Sequence, residues 1–371
     1  MGEALPDKVN LLGLDRASVE ALFDSVGERR YRTAQLMKWL YHRGVNAYEG
    51  MTDLSKVLRQ KLDEVSTSAV PEVVTEQRSV DGTRKWVVRV ANGNCVEAVL
   101  IPDRGRNTLC ISSQVGCMLD CSFCSTGKQG FNGNLTAAEM VGQVWLVADA
   151  LRREGDERGV TNVVMMGMGE PLLNFDAAVR AAAILMDDFA FGISKRRVTI
   201  STAGVVPAIR RLADVTDASL AVSLHAPDDD LRDLLVPINR KYPIAELLDA
   251  CAHYADRLGE RRHITIEYTL IRGVNDSIEQ ADRLAKLLRR LRCKINLIPF
   301  NPFPGTEYRA PETMQVRDFQ TRLMQAGYAT MLRTTRGGDI AAACGQLVGR
   351  VDDRTRRHER YLARIAATEV A

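Results

Sequence analysis

The segment Gly116-Cys-Met-Leu-Asp-Cys-Ser-Phe-Cys-Ser125 holds three cysteines in a C-x3-C-x2-C spacing. A loop with this spacing can present three thiolates to three irons of a cube-shaped iron–sulfur cluster. Because such clusters are normally held by four thiolates, three thiolates leave the fourth iron open to a small molecule. The segment therefore predicts a cluster with an open coordination position, held by Cys117, Cys121 and Cys124.

A structural zinc site is the main alternative for these cysteines. Zinc prefers four ligands, usually two separated pairs, and neither a second pair nor a nearby histidine is present here. Cys110 lies seven residues upstream, in a different local element. A disulfide framework is disfavoured, because the chain has eight cysteines in 371 residues and an amino terminus too polar for a secretory signal. We therefore expect a reducing, cytoplasmic location.

The distribution of charge is more informative than its sum, which is only +3. No apolar run approaches the roughly 20 residues of a membrane span, so we expect no membrane association. Local basic patches can bind RNA through its phosphates, although solvated helix faces produce the same pattern. The basic residues are Arg29, Arg30, Arg32, Lys38 and Arg43, then Lys195, Arg196 and Arg197, then Arg289, Arg290, Arg292 and Lys294, and finally Arg354, Arg356, Arg357 and Arg360.

Two small regions precede the main body of the chain. Residues 1–68 predict a helical accessory domain, because apolar residues recur at helical spacing. Residues 69–104 predict a β-rich connector, because the pattern changes to period two. The predicted elements are helices Ala17–Val26, Thr33–Tyr41 and Asp53–Val65, strands Lys85–Val90 and Val96–Ile101, and turns at Asp81-Gly82 and Asn92-Gly93.

Residues 105–348 alternate short β-rich runs with helical patterns, which indicates a parallel sheet with helices outside. Six such units predict an α/β fold, an open (β/α)6 partial barrel, and residues 349–371 then form a basic tail. The predicted strands are Leu109–Ser112, Asn162–Met166, Val198–Ser201, Leu220–Leu224, Thr265–Leu270 and Lys294–Ile298. The predicted helices are Ala137–Arg152, opened by the Thr136–Glu139 capping box, Phe175–Met186, Pro243–Arg257 and Ile278–Leu291.

Unusual residues follow the ends of these predicted strands. Reactive groups in parallel sheets collect at the carboxyl ends of strands, so a barrel would bring them together. Each group alone is more often a turn, a cap or a structural residue. They are the cluster cysteines, Gly167-Met-Gly-Glu-Pro171, Ser201-Thr-Ala-Gly204, Ser223-Leu-His225 and Asn301-Pro-Phe-Pro-Gly305.

Two further residues are ambiguous by pattern alone. Cys344 lies among alanines, where a cysteine is usually a small buried apolar residue, but glycines and Asp339 flank it. Glu97 lies on an alternating strand, where the pattern indicates a solvent-facing side chain. Cys95, Cys251 and Cys293 carry no motif and are interpreted as structural.

Together the motifs resemble those of the radical S-adenosylmethionine (SAM) RNA adenine methyltransferases, the RlmN/Cfr family, and most closely its RlmN branch. The resemblance covers nearly the whole chain, including the helical amino-terminal region. It is carried by the segments Cys110-Ile-Ser-Ser-Gln-Val-Gly-Cys117, Gly130-Phe-Asn132, Gly167-Met-Gly-Glu-Pro171, Ser223-Leu-His-Ala-Pro227, Asn301-Pro-Phe-Pro-Gly305 and Gly338-Asp-Ile-Ala-Ala-Ala-Cys-Gly-Gln346.

The resemblance implies a [4Fe-4S] cluster, SAM and a reaction in several steps. Cys344 would take a methyl group from one SAM. A radical formed from a second SAM would remove hydrogen from that methyl group, and the resulting methylene would add to carbon 2 of adenine. Glu97 would accept the carbon-2 proton, and Cys110 would release the product by forming a disulfide with Cys344. The implied SAM-binding residues are Gly169, Glu170, Ser201, Ser223, Leu224, His225 and Asn301.

The implied substrates are adenosine 2503 of 23S rRNA and adenosine 37 of tRNA, both in loops where a base can be splayed out. The resemblance also implies a flavodoxin- or ferredoxin-type electron donor and a monomer. A Cfr-like enzyme that methylates carbon 8 remains an alternative, because it shares these motifs. Two other classes are an RNA-binding protein with a structural cluster and a different radical SAM enzyme, such as an activator of protein glycyl radicals.

Overall fold

The computed structural model describes residues 8–351 and 356–369, with the side chains of the last helix described as far as Ala363. Arg354, which belongs to the expected basic tail, lies outside these residues. Within the described chain, one ten-stranded sheet runs through the molecule. No helix of that part is long and apolar enough to cross a membrane.

The amino-terminal region is helical, as predicted. Side-chain caps define its helices, since Asp15 accepts from the Ser18 amide and Ser55 from the Leu58 amide. The Ser55 cap explains why the third helix begins three residues later than predicted. The elements are β1 (Val9–Asn10), α1 (Arg16–Ser25), α2 (Arg32–Met37) with a π-helical turn at Lys38–His42, α3 (Lys56–Val65) and β2 (Ser66–Thr67), which pairs with β1.

This helical region packs firmly against the barrel. The Arg16 guanidinium donates to both carboxylate oxygens of Asp187, at 2.9 and 2.6 Å, and its carbon lies 4.0 Å from the centre of the Phe189 ring. The Trp145 indole donates to the Leu40 carbonyl oxygen at 2.8 Å. These contacts join polar and aromatic groups across the boundary, so the region is held in one orientation.

Four antiparallel strands follow and continue the barrel sheet. Turns at Asp81-Gly82 and Asn92-Gly93 separate the first three, as predicted. The fourth strand also pairs in parallel with the next barrel strand, so the connector and the barrel share one sheet. The strands are β3 (Glu72–Arg78), β4 (Arg84–Arg89), β5 (Cys95–Asp103) and β6 (Arg106–Cys110).

The barrel alternates strands and helices, and the described sheet runs in the order β14-β13-β12-β11-β10-β9-β6-β5-β4-β3. A separate hairpin pairs β7 with β8. The elements are β7 (Gln114–Gly116), α4 (Ser125–Lys128), β8 (Phe131–Asn134), α5 (Ala137–Arg153), β9 (Asn162–Met165), α6 (Phe175–Met186), β10 (Val198–Thr202), α7 (Val206–Val215), β11 (Ser219–Ser223), α8 (Asp229–Leu235), α9 (Ile244–Leu258), β12 (Ile264–Leu270), α10 (Ile278–Leu287), β13 (Cys293–Pro299), α11 (Thr313–Gln325), β14 (Thr330–Leu332) and α12 (Arg357–Glu369).

The predicted α/β fold is confirmed, and all six predicted barrel strands are present, although their ends differ from the predicted ones. The first strand ends at Cys110 instead of Ser112, because Ser112 binds the Gln143 side chain through its amide and the Glu97 carbonyl through its hydroxyl. A further parallel strand, β14, escaped prediction because it is three residues long and mostly exposed. The capping box at Thr136 and Glu139 forms as predicted.

A buried arginine ties together the carboxyl ends of two central strands. The Arg232 guanidinium donates to the carbonyl oxygens of Ala203, Ser223 and Leu224 at 2.6, 3.1 and 3.1 Å, and to the Asn239 side-chain oxygen at 2.8 Å. Arg232 is fully buried. Burial lowers the pKa of its guanidinium to about 10, which still leaves it charged at neutral pH.

We expect Arg232→Met to destabilise the apo protein strongly, because it leaves several buried acceptors without a donor. The free energy of unfolding should fall by about 3–5 kcal/mol, measured by urea denaturation followed by circular dichroism. Arg210→Met is the matched control, since Arg210 makes an exposed ion pair with Asp249, and it should change stability by less than about 1 kcal/mol. A similar fall in the free energy of unfolding of both variants would contradict the role of Arg232 as the donor to these buried oxygens.

Candidate active site

A cavity opens at the carboxyl ends of the parallel strands, where the reactive residues were predicted. It also contains residues without a motif, among them Glu267, Thr269 and Arg333. The predicted site residues that line it are Cys117, Cys121, Cys124, Gly169, Glu170, Ser201, Ser223, His225, Asn301 and Cys344. Three others, Glu97, Cys110 and Leu224, do not line this cavity.

The cysteine loop is shaped by close backbone contacts. Gly116 has a φ of 70°, and a β-carbon there would lie 1.9 Å from the Gly130 carbonyl oxygen, so only glycine fits. The Cys117 amide donates to that same oxygen at 2.7 Å. At the far end of the loop, the Ser125 amide donates to the Gly345 carbonyl oxygen at 2.8 Å. The loop therefore contacts the segment that carries Cys344.

The three thiols are a suitable donor set for an iron–sulfur cluster. Burial raises the pKa of Cys117 and Cys121, and neighbouring cysteine charges raise both further. Iron would remove this penalty, because a metal stabilises thiolates. In the described chain, no three histidine, cysteine, aspartate or glutamate side chains converge on one ion. Thiolates spread around a cavity suit a cluster, in which each binds its own iron.

The segment after β9 brings backbone close to the cysteine loop. Gly169 has a φ of 98°, and a β-carbon would lie 2.4 Å from the Gln114 β-carbon. The Glu170 carboxylate accepts from the amides of Leu172 at 3.0 Å and Ala203 at 2.7 Å. Burial raises the pKa of Glu170 to about 7. A cationic group in the cavity would therefore favour its ionised form.

His225 is held as a neutral hydrogen-bond donor. Its Nδ1 accepts from the Thr269 amide at 2.9 Å, so the proton of the neutral ring lies on Nε2. Burial lowers the pKa of His225 to about 3. Its backbone φ of 59° is unusual for a residue other than glycine, and its ring packs edge-on at 4.6 Å from Phe123.

Ser201 and Ser223 lie at the ends of β10 and β11 and face the same cavity. Leu224 is buried in the core. Its amide donates to the Glu267 carbonyl oxygen at 3.1 Å, and its own carbonyl oxygen accepts from Arg232. Its backbone polar groups are therefore both engaged within the protein.

Cys344 is exposed on a loop that Asn301 fastens to the barrel. The Asn301 side-chain amide donates to the Cys344 carbonyl oxygen at 3.2 Å and accepts from the Thr335 hydroxyl at 2.9 Å. The interpretation of Cys344 as a buried apolar residue is therefore wrong. Arg333 faces it, and the Cys344 charge raises the pKa of Arg333, with Glu267 and Cys110 contributing further.

Arg333 was not predicted from the sequence, because it belongs to no motif. It directly follows β14, which brings it to the cavity. Glu267 could have been noticed in the sequence, because it is a charged residue within the predicted buried strand β12. Its side chain accepts from the Asn296 amide at 2.7 Å, and burial raises its pKa.

Cys110 lies at the carboxyl end of β6, close enough to Cys344 for their charges to interact. Burial and the neighbouring Cys344 charge raise the pKa of Cys110 to about 12. Both cysteines are free in this structure. A thiolate at Cys110 is therefore least favourable while Cys344 is itself a thiolate.

Glu97 is buried, so the interpretation as a solvent-facing residue is wrong. Its carboxylate lies 3.1 Å from the Lys85 ammonium and accepts from the Val348 amide at 3.1 Å. Strand register places Glu97 and Cys110 on the same face of the sheet, since Val99 lies opposite Cys110 and Glu97 is two residues away. Glu97 thus contacts the loop that carries Cys344.

The basic tail contributes to this site through Arg357. Its guanidinium donates to the carbonyl oxygens of Cys117, Leu119 and Gly127 at 3.3, 3.3 and 3.0 Å. A residue expected on an RNA surface therefore supports the cysteine loop.

Comparisons with known proteins agree with this geometry. Residues 9–67 match the ribosomal RNA large subunit methyltransferase N-terminal domain, and residues 111–285 match the radical SAM superfamily. Two proteins named dual-specificity RNA methyltransferase RlmN are similar over 96% of this chain. The one from Marinobacter nauticus is 60% identical over 97% of its length, and the one from Pseudomonas fluorescens is 59% identical over 94%.

A solved structure shares the fold. A radical SAM methyltransferase from Sphaerobacter thermophilus superposes with a TM-score of 0.85 and 44% identity, covering 91% of this chain and 99% of that one. The partial-barrel fold predicted from sequence is thereby confirmed. With relatives at this identity over nearly the full length, the chain belongs to the RlmN family of radical SAM methyltransferases.

Proposed function

We propose that this enzyme methylates carbon 2 of adenosine 2503 in 23S rRNA and of adenosine 37 in tRNA. The observation that carries the proposal is the placement of Cys344 in the same cavity as Cys117, Cys121 and Cys124. The dual-specificity RNA methyltransferases that resemble this chain support it. Cfr-like methylation of carbon 8 is the competing outcome, which the product itself distinguishes.

The three cluster cysteines would hold a [4Fe-4S] cluster, and the bound cluster and SAM would supply radical chemistry and methyl groups. Glu170 can accept from the ammonium of SAM, and His225 can donate from Nε2. Gly169, Ser201, Ser223 and Asn301 complete the proposed SAM site, and Leu224 would contribute by holding Ser223 and His225 in place. Cys344 would accept the first methyl group on its sulfur, and Arg333 lines the same cavity.

Release of the product would use Glu97 and Cys110. The adduct radical would lose one electron, which the oxidised cluster would accept, and Glu97 would accept the proton from carbon 2 of the crosslinked base. The Cys110 thiolate then attacks the Cys344 sulfur, forming the S–S bond. As the bond from that sulfur to the methylene carbon breaks, its electron pair stays on carbon, which takes a proton to become methyl. An external thiol reductant returns the disulfide to two thiols.

The electrostatics favour this order of events. The charge of a Cys344 thiolate raises the pKa of Cys110. Once Cys344 is alkylated, that charge is gone, so Cys110 ionises more readily. Cys110 is therefore least reactive before the methyl group is loaded and becomes more reactive afterwards.

We propose the division of the chain expected from its sequence, with residues 1–68 as an RNA-binding region, 69–104 as the connector, 105–348 as the catalytic barrel and 349–371 as the tail. Arg29 is exposed, whereas Arg30 and Arg32 pair with Asp24 and Glu28. We further propose that the enzyme is a cytoplasmic monomer and that a flavodoxin or ferredoxin supplies its electrons.

Cys344→Ala should abolish methylation, because Cys344 would carry the methyl group and the other cysteines that line the cavity would be bound to iron. We expect 2-methyladenosine from the wild type with 23S rRNA fragment, SAM and reductant, and a loss of about a thousandfold or more in the variant. Nucleoside mass spectrometry measures both. The control is Cys251→Ala, which changes a buried cysteine on α9 and should retain activity. Wild-type 8-methyladenosine would place the enzyme with Cfr, and no methyladenosine would refute the proposal.

Cys110→Ala should trap the protein–RNA crosslink, because the Cys344 sulfur would have no attacking thiolate. Denaturing gel electrophoresis with labelled RNA should show a slowly migrating species that nuclease digestion reduces to protein plus nucleotide. Cys293→Ala, which removes another buried cysteine, should accumulate none. Ordinary multiple turnover by Cys110→Ala would show that another group resolves the intermediate.

Arg29→Glu should weaken RNA binding if the amino-terminal region contacts phosphates. The slope of log affinity against log salt should fall by about 1 in magnitude, measured by fluorescence anisotropy with labelled rRNA fragment. Arg210→Glu, on the outer helix α7, is the control for a general change of charge. Equal affinities for wild type and Arg29→Glu would move the RNA surface elsewhere.

A further inference from the structure

A buried ion pair lies directly behind the Cys344 loop. Lys85 on β4 and Glu97 on β5 have side chains only 6% and 4% exposed, and the Lys85 Nζ lies 3.1 Å from a Glu97 carboxylate oxygen. Val87 is opposite Glu97 in the strand pairing, and Lys85 is two residues from Val87. The two charges are therefore diagonal neighbours on one face of the sheet.

Both members of the pair also bind the backbone of the Cys344 loop. The Lys85 ammonium donates to the Ala341 carbonyl oxygen at 3.3 Å, three residues before Cys344. The second Glu97 oxygen accepts from the Val348 amide at 3.1 Å, four residues after it. The pair thus holds the loop on both sides of the cysteine, and Ala341 adopts the left-handed conformation with a φ of 48°.

Stability alone is a poor explanation for this pair. Removing two charges from water costs about as much as their attraction returns, so apolar residues of similar size often stabilise a core equally well. A buried carboxylate without its cation, by contrast, is strongly disfavoured in the ionised form. The arrangement therefore suits a carboxylate that must be held in one position against the Cys344 loop.

We propose that Lys85 is a positioning residue for the proton acceptor of the reaction. Its ammonium holds the Glu97 carboxylate in place against the Cys344 loop, on the same face of the sheet as Cys110. The carboxylate oxygen that accepts from the Val348 amide in this structure is the one that would take the carbon-2 proton. This inference rests on the proposed function, since it assigns Lys85 a part in the same reaction.

The test measures separate steps in Lys85→Met, a substitution of similar length without charge. SAM cleavage, measured as 5′-deoxyadenosine release, should stay within about threefold of wild type. Methylation of Cys344, measured by intact protein mass, should do the same. Formation of 2-methyladenosine should fall about a hundredfold, the usual contribution of a general base. The protein–RNA crosslink should accumulate, as in Glu97→Gln, and Lys85→Arg should restore part of the turnover.

Arg84→Met is the matched control. Arg84 is the next residue on β4, is similarly buried and pairs with Glu76 and Glu154 on the other side of the sheet. Its loss should lower stability without accumulating the crosslink. The double variant Lys85→Met/Glu97→Gln removes both charges, which avoids an unpaired buried carboxylate, and it should accumulate as much crosslink as Glu97→Gln alone.

The outcomes separate the inference from the function on which it rests. Crosslink in Glu97→Gln but none in Lys85→Met would overturn the role of Lys85 and leave the function standing. Absence of crosslink in both would overturn the role of Glu97 itself. If Lys85→Met does not fold, the double variant Lys85→Met/Glu97→Gln takes its place. More crosslink in this double variant than in Glu97→Gln alone would show that Lys85 acts elsewhere in the reaction, and that result would also overturn the inference.

Discussion

The pairing of β6 is the constraint on which the rest of the structure depends. This strand is antiparallel to β5 on one side and parallel to β9 on the other. It therefore joins the connector to the barrel in one continuous sheet. Cys110 occupies its last position, so the same strand that joins the two parts also places a sulfur at the edge where the barrel strands end.

The Cys344 loop is the second element shared by several parts of the chain. Gly345 accepts from Ser125 at the end of the cysteine loop, Asn301 holds the Cys344 carbonyl, and Glu97 accepts from Val348. Each bond links the loop to a different region: the cluster site, the end of β13 and the connector. The position of the Cys344 sulfur therefore depends on all three regions.

Burial favours the neutral forms of the ionisable groups in and near the cavity. It raises the pKa of Glu170 to about 7, lowers that of His225 to about 3 and raises that of Cys110 to about 12. Carboxyl, imidazole and thiol groups are all pushed toward their neutral forms, because an apolar cavity disfavours charge. A cationic ligand and thiolate-bound iron would relieve the cost at Glu170 and at the cluster cysteines, so cofactor binding and ionisation are coupled.

The sequence by itself determined the parts that depend on local pattern. The cysteine spacing, the period of the six barrel strands and the Thr136 capping box predicted the cluster loop, the fold and the start of α5, because neighbouring residues specify each of these. Only the tertiary structure decided the burial of Glu97 and its pairing with Lys85, the position of Arg333 beside Cys344 and the use of Arg357 beneath the cysteine loop. Those contacts join residues far apart in the chain, and strand order and register, which local patterns do not encode, bring them together.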